Sequence, residues 1–341
     1  MTAFLKKPYS KDILIGLAIL AILCVLPWLG MKMYWFRLLI VFFIYATIIS
    51  QWNLVMGIGG IFSLGQMAIF GMGAYTTAWL AKYAEWSLWA SWPVGIVFAI
   101  IAALVIGAAC LRVSGVYTAL LTLAIVTVMQ LLIQTDVACF RPMKTGGCEY
   151  FTGGTMSLTK YGDLGMRDWL GRRDWIKGDY YIGLAMLSFA TAFSIYIVRS
   201  PIGIAFKALR DNNQYAVSRG ISKFKYQMLI FSASSLFTGM AGGFYASHYG
   251  ATGATILNIT LMLLLLAMMI VGGLGRIWGP ILGVGALMAL QEPLRDFIEY
   301  RELAFGFLIV IFAMFYPQGI QGFFEFCWTE GKKRFQGIRK T

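Results

Sequence analysis

The chain has 341 residues, 59% of them hydrophobic and 13% charged, with a net charge of +13 and a mean hydropathy of +0.73. An average soluble domain is roughly 25% charged, and a globule of this length has too little interior to hide so many apolar side chains. A soluble enzyme, a disordered chain and a disulfide-stapled secreted module are excluded, which leaves a polytopic membrane protein whose apolar surface faces lipid.

A helix that crosses a bilayer needs about twenty apolar residues with few charges. Ten windows, some of them short, fit that description: 13–29, 36–56, 66–81, 94–111, 116–134, 180–198, 228–249, 255–275, 277–290 and 303–316. Runs such as 261–271 are apolar on every side, which predicts helices rather than alternating outer-membrane strands. The expected fold is therefore all-α, one transmembrane domain over 1–341 with about ten helices. Lys6, Lys7 and Lys11 before the first window could open a cleaved signal peptide, but no A-x-A pattern follows, so an uncleaved first span is expected.

Past the second window the chain turns glycine-rich. Asn53 precedes Gly57-Ile-Gly-Gly-Ile-Phe-Ser63-Leu-Gly65-Gln66, which runs into Gly71-Met-Gly73-Ala74-Tyr75. Glycines at membrane depth let the backbone leave the helix, and freed peptide groups are tolerated only where they line a cavity or are buried in protein. The same glycines could serve close helix packing instead. Trp28, Trp35, Trp79, Trp86, Trp89 and Trp92 fall at one set of span ends, as an interfacial belt would. Thr122 and Gln130 place uncharged polar groups within the fifth window.

Segment 135–178 is a long loop. Its Cys139 and Cys148 would form a disulfide in an oxidising compartment, with two free thiols as the alternative. Cys24, Cys110 and Cys327 read as small packing residues. Segment 199–226 is the longest loop on the opposite side. Ser200-Pro201 is a helix start, Ile204, Ala205, Ala208 and Leu209 recur at helical spacing, Asp211-Asn212-Asn213 can cap a second short helix over 214–219, and Gly220 supplies a left-handed stop. Two capped helices on a basic loop suggest a docking surface; a solvated connector is the alternative.

Further on, Gly272-Gly273-Leu-Gly275-Arg276-Ile-Trp278-Gly279-Pro280, then Gly283-Val-Gly285-Ala286, resembles the first glycine segment. Paired Gly/Pro-interrupted segments in two halves predict a weak internal repeat with broken helices along a transport pathway. Gly275, Gly279 and Gly283 also form a small-residue stripe, so packing competes with that reading.

With the N-terminus inside and spans alternating, the inside segments hold Lys6, Lys7, Lys11, Arg112, the six bases from Arg199 to Lys225, Arg276 and five in the tail from Lys332 to Lys340. Only Asp12, Asp211, Glu325 and Glu330 oppose them, while outside charges nearly cancel. This asymmetry predicts both termini inside, and assigns the basic balance to topology and anionic lipid rather than nucleic acid. No acid or base falls in mid-span, which disfavours an ion-coupled carrier, although a sodium site made of backbone carbonyls would escape that test. The single histidine, His248, excludes a multi-histidine metal site and reads as an interfacial polar residue. With no Walker A element and no G-x-S-x-G, neither ATP binding by a P-loop nor hydrolase chemistry is expected of this chain.

Asn53-Leu-Val-Met-Gly57, Ser63-Leu-Gly65-Gln66, Gly71-x-Gly73-Ala74-Tyr75, Tyr117-Thr-Ala-Leu-Leu-Thr122-Leu-Ala124, Ala208-Leu-Arg210-Asp211-Asn212 through Ala216-x-x-x-Gly220-Ile221, and Gly272-Gly273-Leu-Gly275-x-x-Trp278-Gly279-Pro280 together resemble the branched-chain amino acid ABC-transporter permeases, in particular the LivM-type subunit. The motifs span most of the chain in family order. The resemblance implies a multi-pass bacterial inner-membrane subunit that works with a second permease, a paralogue with an identical copy as the alternative, two ATPase subunits carrying ATP, and a periplasmic solute-binding protein. It also implies that 216–220 belongs to the loop that contacts the ATPase. Many relatives carry His where this chain has Gln66, and the family's T-G-G-x-x-G-L element reads Thr152-Gly153-Gly154-Thr155-Met156-Ser157-Leu158. Those departures bear on the solute, since related permeases are assigned to urea, short amides and aromatic acids.

The expectation is an importer permease for branched-chain amino acids or a similar small polar solute, with no cofactor of its own. Asn53, Ser63, Gly65, Gln66, Thr122, Gln130, Gly272 and Gly273 are its pathway candidates. Lys207, Arg210, Asp211, Ala216, Arg219 and Gly220 are its ATPase-coupling candidates. The rival is a stand-alone channel or facilitator for a neutral solute such as urea or an amide.

Overall fold

The computed structural model describes residues 9–29, 32–110, 113, 115–142 and 148–292, and beyond them 306–307, 310, 314 and 319–322. Most of the tenth window, the basic tail and Cys327 lie outside the described residues, as do Lys6, Lys7 and Arg112.

Each of the first nine windows coincides with a helix. They are α1 (Tyr9–Val25, extended by a 3-10 turn at Leu26–Leu29), α2 (Met33–Asn53), α3 (Gln66–Tyr83), α4 (Leu88–Cys110), α5 (Val116–Gln134), α6 (Met166–Arg199), α9 (Lys223–Tyr249), α10 (Ile259–Gly272) and α11 (Gly279–Gln291). The two short helices of the basic loop are α7 (Pro201–Asp211) and α8 (Asn213–Ser218). Among the described residues, five segments are long and apolar enough to cross a membrane: Met33–Ile58, Leu88–Cys110, Val116–Gln134, Asp174–Arg199 and Lys223–Tyr249. The first, ninth and eighth windows give shorter apolar helices, the last two because glycines interrupt them. α6 starts about four turns before its window, with Gly171 (φ 78°) kinking its first turns. That polar extension gains support from an i,i+3 ion pair, Lys177 to Asp174 at 2.7 Å.

The core is a close triad of α3, α4 and α9, with α2 packed between α6 and α9 and α10–α11 forming a hairpin on α2. Small residues set these distances. A Cβ on Gly73 would meet the Gly239 carbonyl oxygen at 2.6 Å, and one on Gly242 would meet the Ala74 nitrogen at 2.8 Å. In the hairpin, a Cβ on Gly279 would meet the Gly273 oxygen at 2.6 Å and one on Gly283 the Gly272 Cα at 2.8 Å. Gly279 and Gly283 are therefore packing residues, while Gly275 departs from that stripe and sits in the break between the helices.

At the opposite end from the basic loop, the C-terminal ends of α3, α5 and α9 are knitted together. Strands β1 (Cys139–Pro142) and β2 (Cys148–Tyr150) form an antiparallel hairpin, and Cys139 is bonded to Cys148 with their Cα atoms 5.2 Å apart. β3 (Leu158–Thr159) pairs with β4 (Ala251–Thr252), which follows α9. Tyr83 donates to the Tyr150 carbonyl at 2.7 Å, and Lys82 pairs with Glu149 at 3.4 Å. Trp28, Trp35, Trp86 and Trp89 are exposed as a belt requires. Trp92 departs from it. It donates to the Met240 carbonyl at 2.8 Å and stacks on Phe244, because α4 and α9 approach closely there.

The hairpin's covalent closure spans nine residues, for which chain-entropy arguments give about 2.5 kcal/mol. Mass mapping of unreduced protein should recover the Cys139–Cys148 peptide pair. Cys139→Ser with Cys148→Ser should loosen the hairpin, seen as faster amide exchange at 139–150, while α3 and α4 stay protected.

Candidate functional site: two helix breaks under the basic loop

The first break begins where α2 ends. A single π turn, Leu54–Ile58, widens the helix, and residues 59–65 then run without regular structure into α3. Gly60 takes φ 69°. The second break separates α10 from α11, with Gly273 at φ 115° and Gly275 at φ 76°. A side chain would strain the backbone at these three positions. The two breaks touch. A Cβ on Gly57 would meet the Gly275 Cα at 2.9 Å, and Gly319 packs its backbone onto Gly273.

Asn53 holds the pair together. Its side-chain oxygen accepts from the Gly275 N–H at 2.8 Å and its amide donates to the Arg276 carbonyl at 2.8 Å. The basic loop grips the same place. Arg210, at the end of α7, donates through Nη1 to the Gly57 carbonyl at 2.9 Å, and its guanidinium also meets Asp211 at 3.0 Å. Its aliphatic stem lies against Gly60, where no Cβ would fit.

Ser63, Gly65, Gln66 and Thr122 form a second group just beyond. The Trp52 indole donates to the Ser63 carbonyl at 2.7 Å, the Leu64 N–H to Thr122 Oγ1 at 2.8 Å, and the Gly65 N–H to Ser63 Oγ at 3.2 Å. Gln66 donates to Thr238 of α9. In the single chain these side chains are buried; Ser63 and Thr122 accept from peptide N–H groups freed by the break, while Gln66 ties it to α9. Gly65 itself has an ordinary helical backbone and is excluded from carrying a side chain by Ile106, 2.9 Å from where its Cβ would be. Gly272 and Gly273 lie at the second break. Gln130 is half-buried two turns along α5 from Thr122 and is not joined to either group. The sequence reading missed Gln51, which is fully buried and donates to Ser194 of α6 at 3.1 Å and to the Ala190 carbonyl at 3.3 Å. A lone glutamine inside an apolar run was the available signal.

The basic loop folds as its sequence suggests, with informative differences. Ser200 caps α7, with Pro201 in its first turn, and Asn212 caps α8 by accepting from the Tyr215 N–H at 3.0 Å. Gly220 takes φ 85° after α8. Ile204, expected on the apolar stripe, is exposed, and Phe206 takes its place on the buried face. Ala216 is 1% exposed within its own chain, so it anchors α8 to the loop and is not itself free to meet a partner. The outward apolar residues are Tyr215 (58%) and Val217 (49%). Arg219 stacks on Tyr215 and donates to its hydroxyl at 2.8 Å, and Lys207 is exposed.

His248 lies at the other end of α9, one residue from the end of that span, and is turned into the protein. It forms a buried pair with Asp179 of α6, Nδ1 to Oδ2 at 2.7 Å, beneath Trp175 and Phe244. The two helices converge there, so the single histidine finds its acid instead of water. Nearby, burial pushes the Tyr161 phenol up to about 12, so it stays protonated and donates to the Ala246 carbonyl at 2.9 Å. An apolar cavity of about 1310 Å³ lies between α1, α2, α6 and α11, lined by Leu20, Phe42, Leu187 and Trp278 among others. It contains none of the predicted pathway residues. Among the described residues no cluster of three or more His, Cys, Asp or Glu could hold a metal.

Comparison with known proteins gives a consistent answer. Residues 34–316 match the family model described as branched-chain amino acid transport system / permease component. The chain is 27% identical over 286 residues to the high-affinity branched-chain amino acid transport system permease protein LivM of Escherichia coli (strain K12), and equally to its Salmonella typhimurium counterpart. Each alignment covers 79% of this chain and 65% of the relative. No solved structure matches the chain significantly.

Asn53→Ala should remove both bonds that join the breaks and leave the Gly275 N–H and the Arg276 carbonyl without their partner, costing about 2–4 kcal/mol. Asn53→Asp keeps the acceptor but sets a buried carboxylate oxygen against the Arg276 carbonyl, so it should cost at least as much. Gly273→Ala should cost about 1–3 kcal/mol through backbone strain alone. Thermal unfolding in detergent measures all three.

Proposed function

The chain belongs to the branched-chain amino acid permease family, and on that premise we propose that it is the transmembrane permease subunit of an ATP-driven importer of branched-chain amino acids. ATP would bind to two separate ATPase subunits. A paralogous permease would complete the pathway, and a periplasmic binding protein would deliver the solute. The basic end would face the cytoplasm, with both termini inside, about ten spans in a bacterial inner membrane, 199–226 as coupling loop and 135–178 outside.

The Arg210–Gly57 bond carries this reading. A partner that moves α7–α8 pulls directly on the first break, and through Asn53 on the second. Both breaks then respond as one element, which alternating access requires. A stand-alone channel has no use for a base-rich loop that presents Tyr215 and Val217 outward. Those bases suit an acidic rim on the ATPase, which would speed association more than it tightens the final complex.

Co-purification separates docking from transmission. Tyr215→Ala combined with Val217→Glu should cut recovery of the ATPase subunits at least tenfold, since a buried unpaired carboxylate is strongly unfavourable. Arg210→Ala should retain ATPase binding yet lower uptake several-fold at unchanged ATP hydrolysis. Full uptake by the Tyr215/Val217 variant would exclude α8 as the docking element.

A further inference from the structure

Helix α1 touches the bundle toward its two ends and stands off between them. Toward one end, the Tyr180 and Tyr181 hydroxyls of α6 donate to the Leu23 and Cys24 carbonyls at 2.8 and 3.3 Å. Toward the other, a Cβ on Gly16 would meet the Trp278 ring at 3.1 Å. Ile19 and Leu20 lie between these contacts and line the apolar cavity of about 1310 Å³. Its lining follows α6 from Leu184 to Arg199, a length of about 22 Å at the helical rise per residue.

The cavity has the character of a slot for hydrocarbon rather than of a solute pocket. Small-molecule pockets enclose about 300–1,000 Å³ and carry a few convergent polar groups. Here Ser188 and Thr191 on the wall donate to carbonyls of their own helix, Leu184 and Leu187, at 2.7 and 2.8 Å. Tyr196 lines the slot and is 72% exposed, so the slot opens sideways, where a membrane presents lipid. Its two ends carry opposite charges. Arg199, followed by Ser200, marks the end next to the basic loop. Glu292, which accepts from the Tyr34 hydroxyl, marks the other.

We propose that this slot holds the acyl chains of an anionic phospholipid from the leaflet at the basic end, with its phosphate at Arg199. Close-packed interiors do not leave apolar space of this size empty, and an apolar cavity takes an apolar guest rather than water. The charges orient that guest, since the Arg199 guanidinium attracts a phosphate and the Glu292 carboxylate repels one. A guanidinium has five donors, enough to serve a phosphate beside a partner within the chain. A lipid without net charge would fill the same space and gain less at Arg199. The site lies apart from the pathway candidates, none of which lines it. Through Trp278, the last residue before α11, a bound chain packs against the second break.

The test reconstitutes the full chain in phosphatidylcholine vesicles doped with phosphatidylglycerol that carries a photoactivatable group in its tail. After illumination, adducts should concentrate on the α1 and α6 peptides that hold Leu20, Leu187 and Ile195, several-fold above the α5 peptides that expose Leu120 and Leu131 to lipid. Unlabelled phosphatidylglycerol should compete better than phosphatidylcholine. Gly285 lines the slot, and a Cβ there would stand 3.6 Å from the Phe42 ring, an ordinary contact. Gly285→Phe should therefore fill the slot and remove most of the α1 and α6 adducts while the unfolding temperature holds. Arg199→Gln should keep the adducts but cut the preference for phosphatidylglycerol about fivefold, the effect of one base near a membrane surface. Equal labelling of the α5 and slot peptides in the wild-type chain would overturn the site. Equal competition by the two lipids would overturn its anionic selectivity. Loss of slot labelling once a second permease is reconstituted alongside would give this face to that subunit instead.

Discussion

Peptide groups that leave a helix inside a membrane-embedded bundle must be paired by the protein, because lipid offers nothing in return. In this chain that constraint falls on residues 53–66 and 272–279, and Asn53 meets it at their meeting point. One side chain satisfies an N–H and a carbonyl of the second break while standing at the threshold of the first. The arrangement is possible only because Gly57 and Gly275 let the two backbones approach without side chains between them. Much else follows: the shortness of α10 and α11, the π turn after α2, and the bonds through Trp52, Ser63 and Thr122 that pair peptide groups of residues 63–65.

The same closeness explains the division of labour between the two ends. At the basic end the chain is broken and held by hydrogen bonds, each of which can be exchanged without unpacking a core. At the other end it is bound by two small sheets, a disulfide, an ion pair at Lys82–Glu149 and aromatic contacts. Between them α3, α4 and α9 pack backbone to backbone through Gly73, Gly239 and Gly242, a contact too tight to flex. On the proposed coupling role, a stiff middle linked to a hydrogen-bonded end would let a pull on α7 be expressed at the breaks rather than lost in the bundle.

Polar side chains within the bundle are economical. Gln51, Gln66 and Asn53 each reach across to another segment, and His248 with Asp179 neutralise one another where α6 and α9 converge. These contacts join helices that would otherwise be held by van der Waals packing alone, since lipid tails compete with every apolar surface. Among the described residues the Tyr75 hydroxyl, Gln51 Oε1 and the Trp79 and Trp278 indole N–H groups are buried without a hydrogen-bond partner.

The membrane class, the helical windows, the capped basic loop and the paired glycine breaks were all legible in the sequence, because each depends on local composition or spacing. Apolar length sets a span, Ser200 and Asn212 cap the residues that follow them, and φ values near Gly220 or Gly273 are open only to glycine. What the residues did next was not legible. Asn53, Ser63, Gln66 and Thr122 read as pathway groups, and which partners they take within the chain was decided by tertiary structure: distant backbone groups for Asn53 and Thr122, the nearby Gly65 N–H for Ser63 and the Thr238 side chain for Gln66. Ala216 read as a docking residue and became an anchor, leaving Tyr215 and Val217 outward, because a six-residue helix shows its faces only once its neighbours are in place. His248 could not be matched to Asp179 from a separation of 69 residues. Local chemistry thus determined which elements form and where the chain breaks. Only the packing of distant helices decided which breaks meet and which polar groups find a partner within the chain.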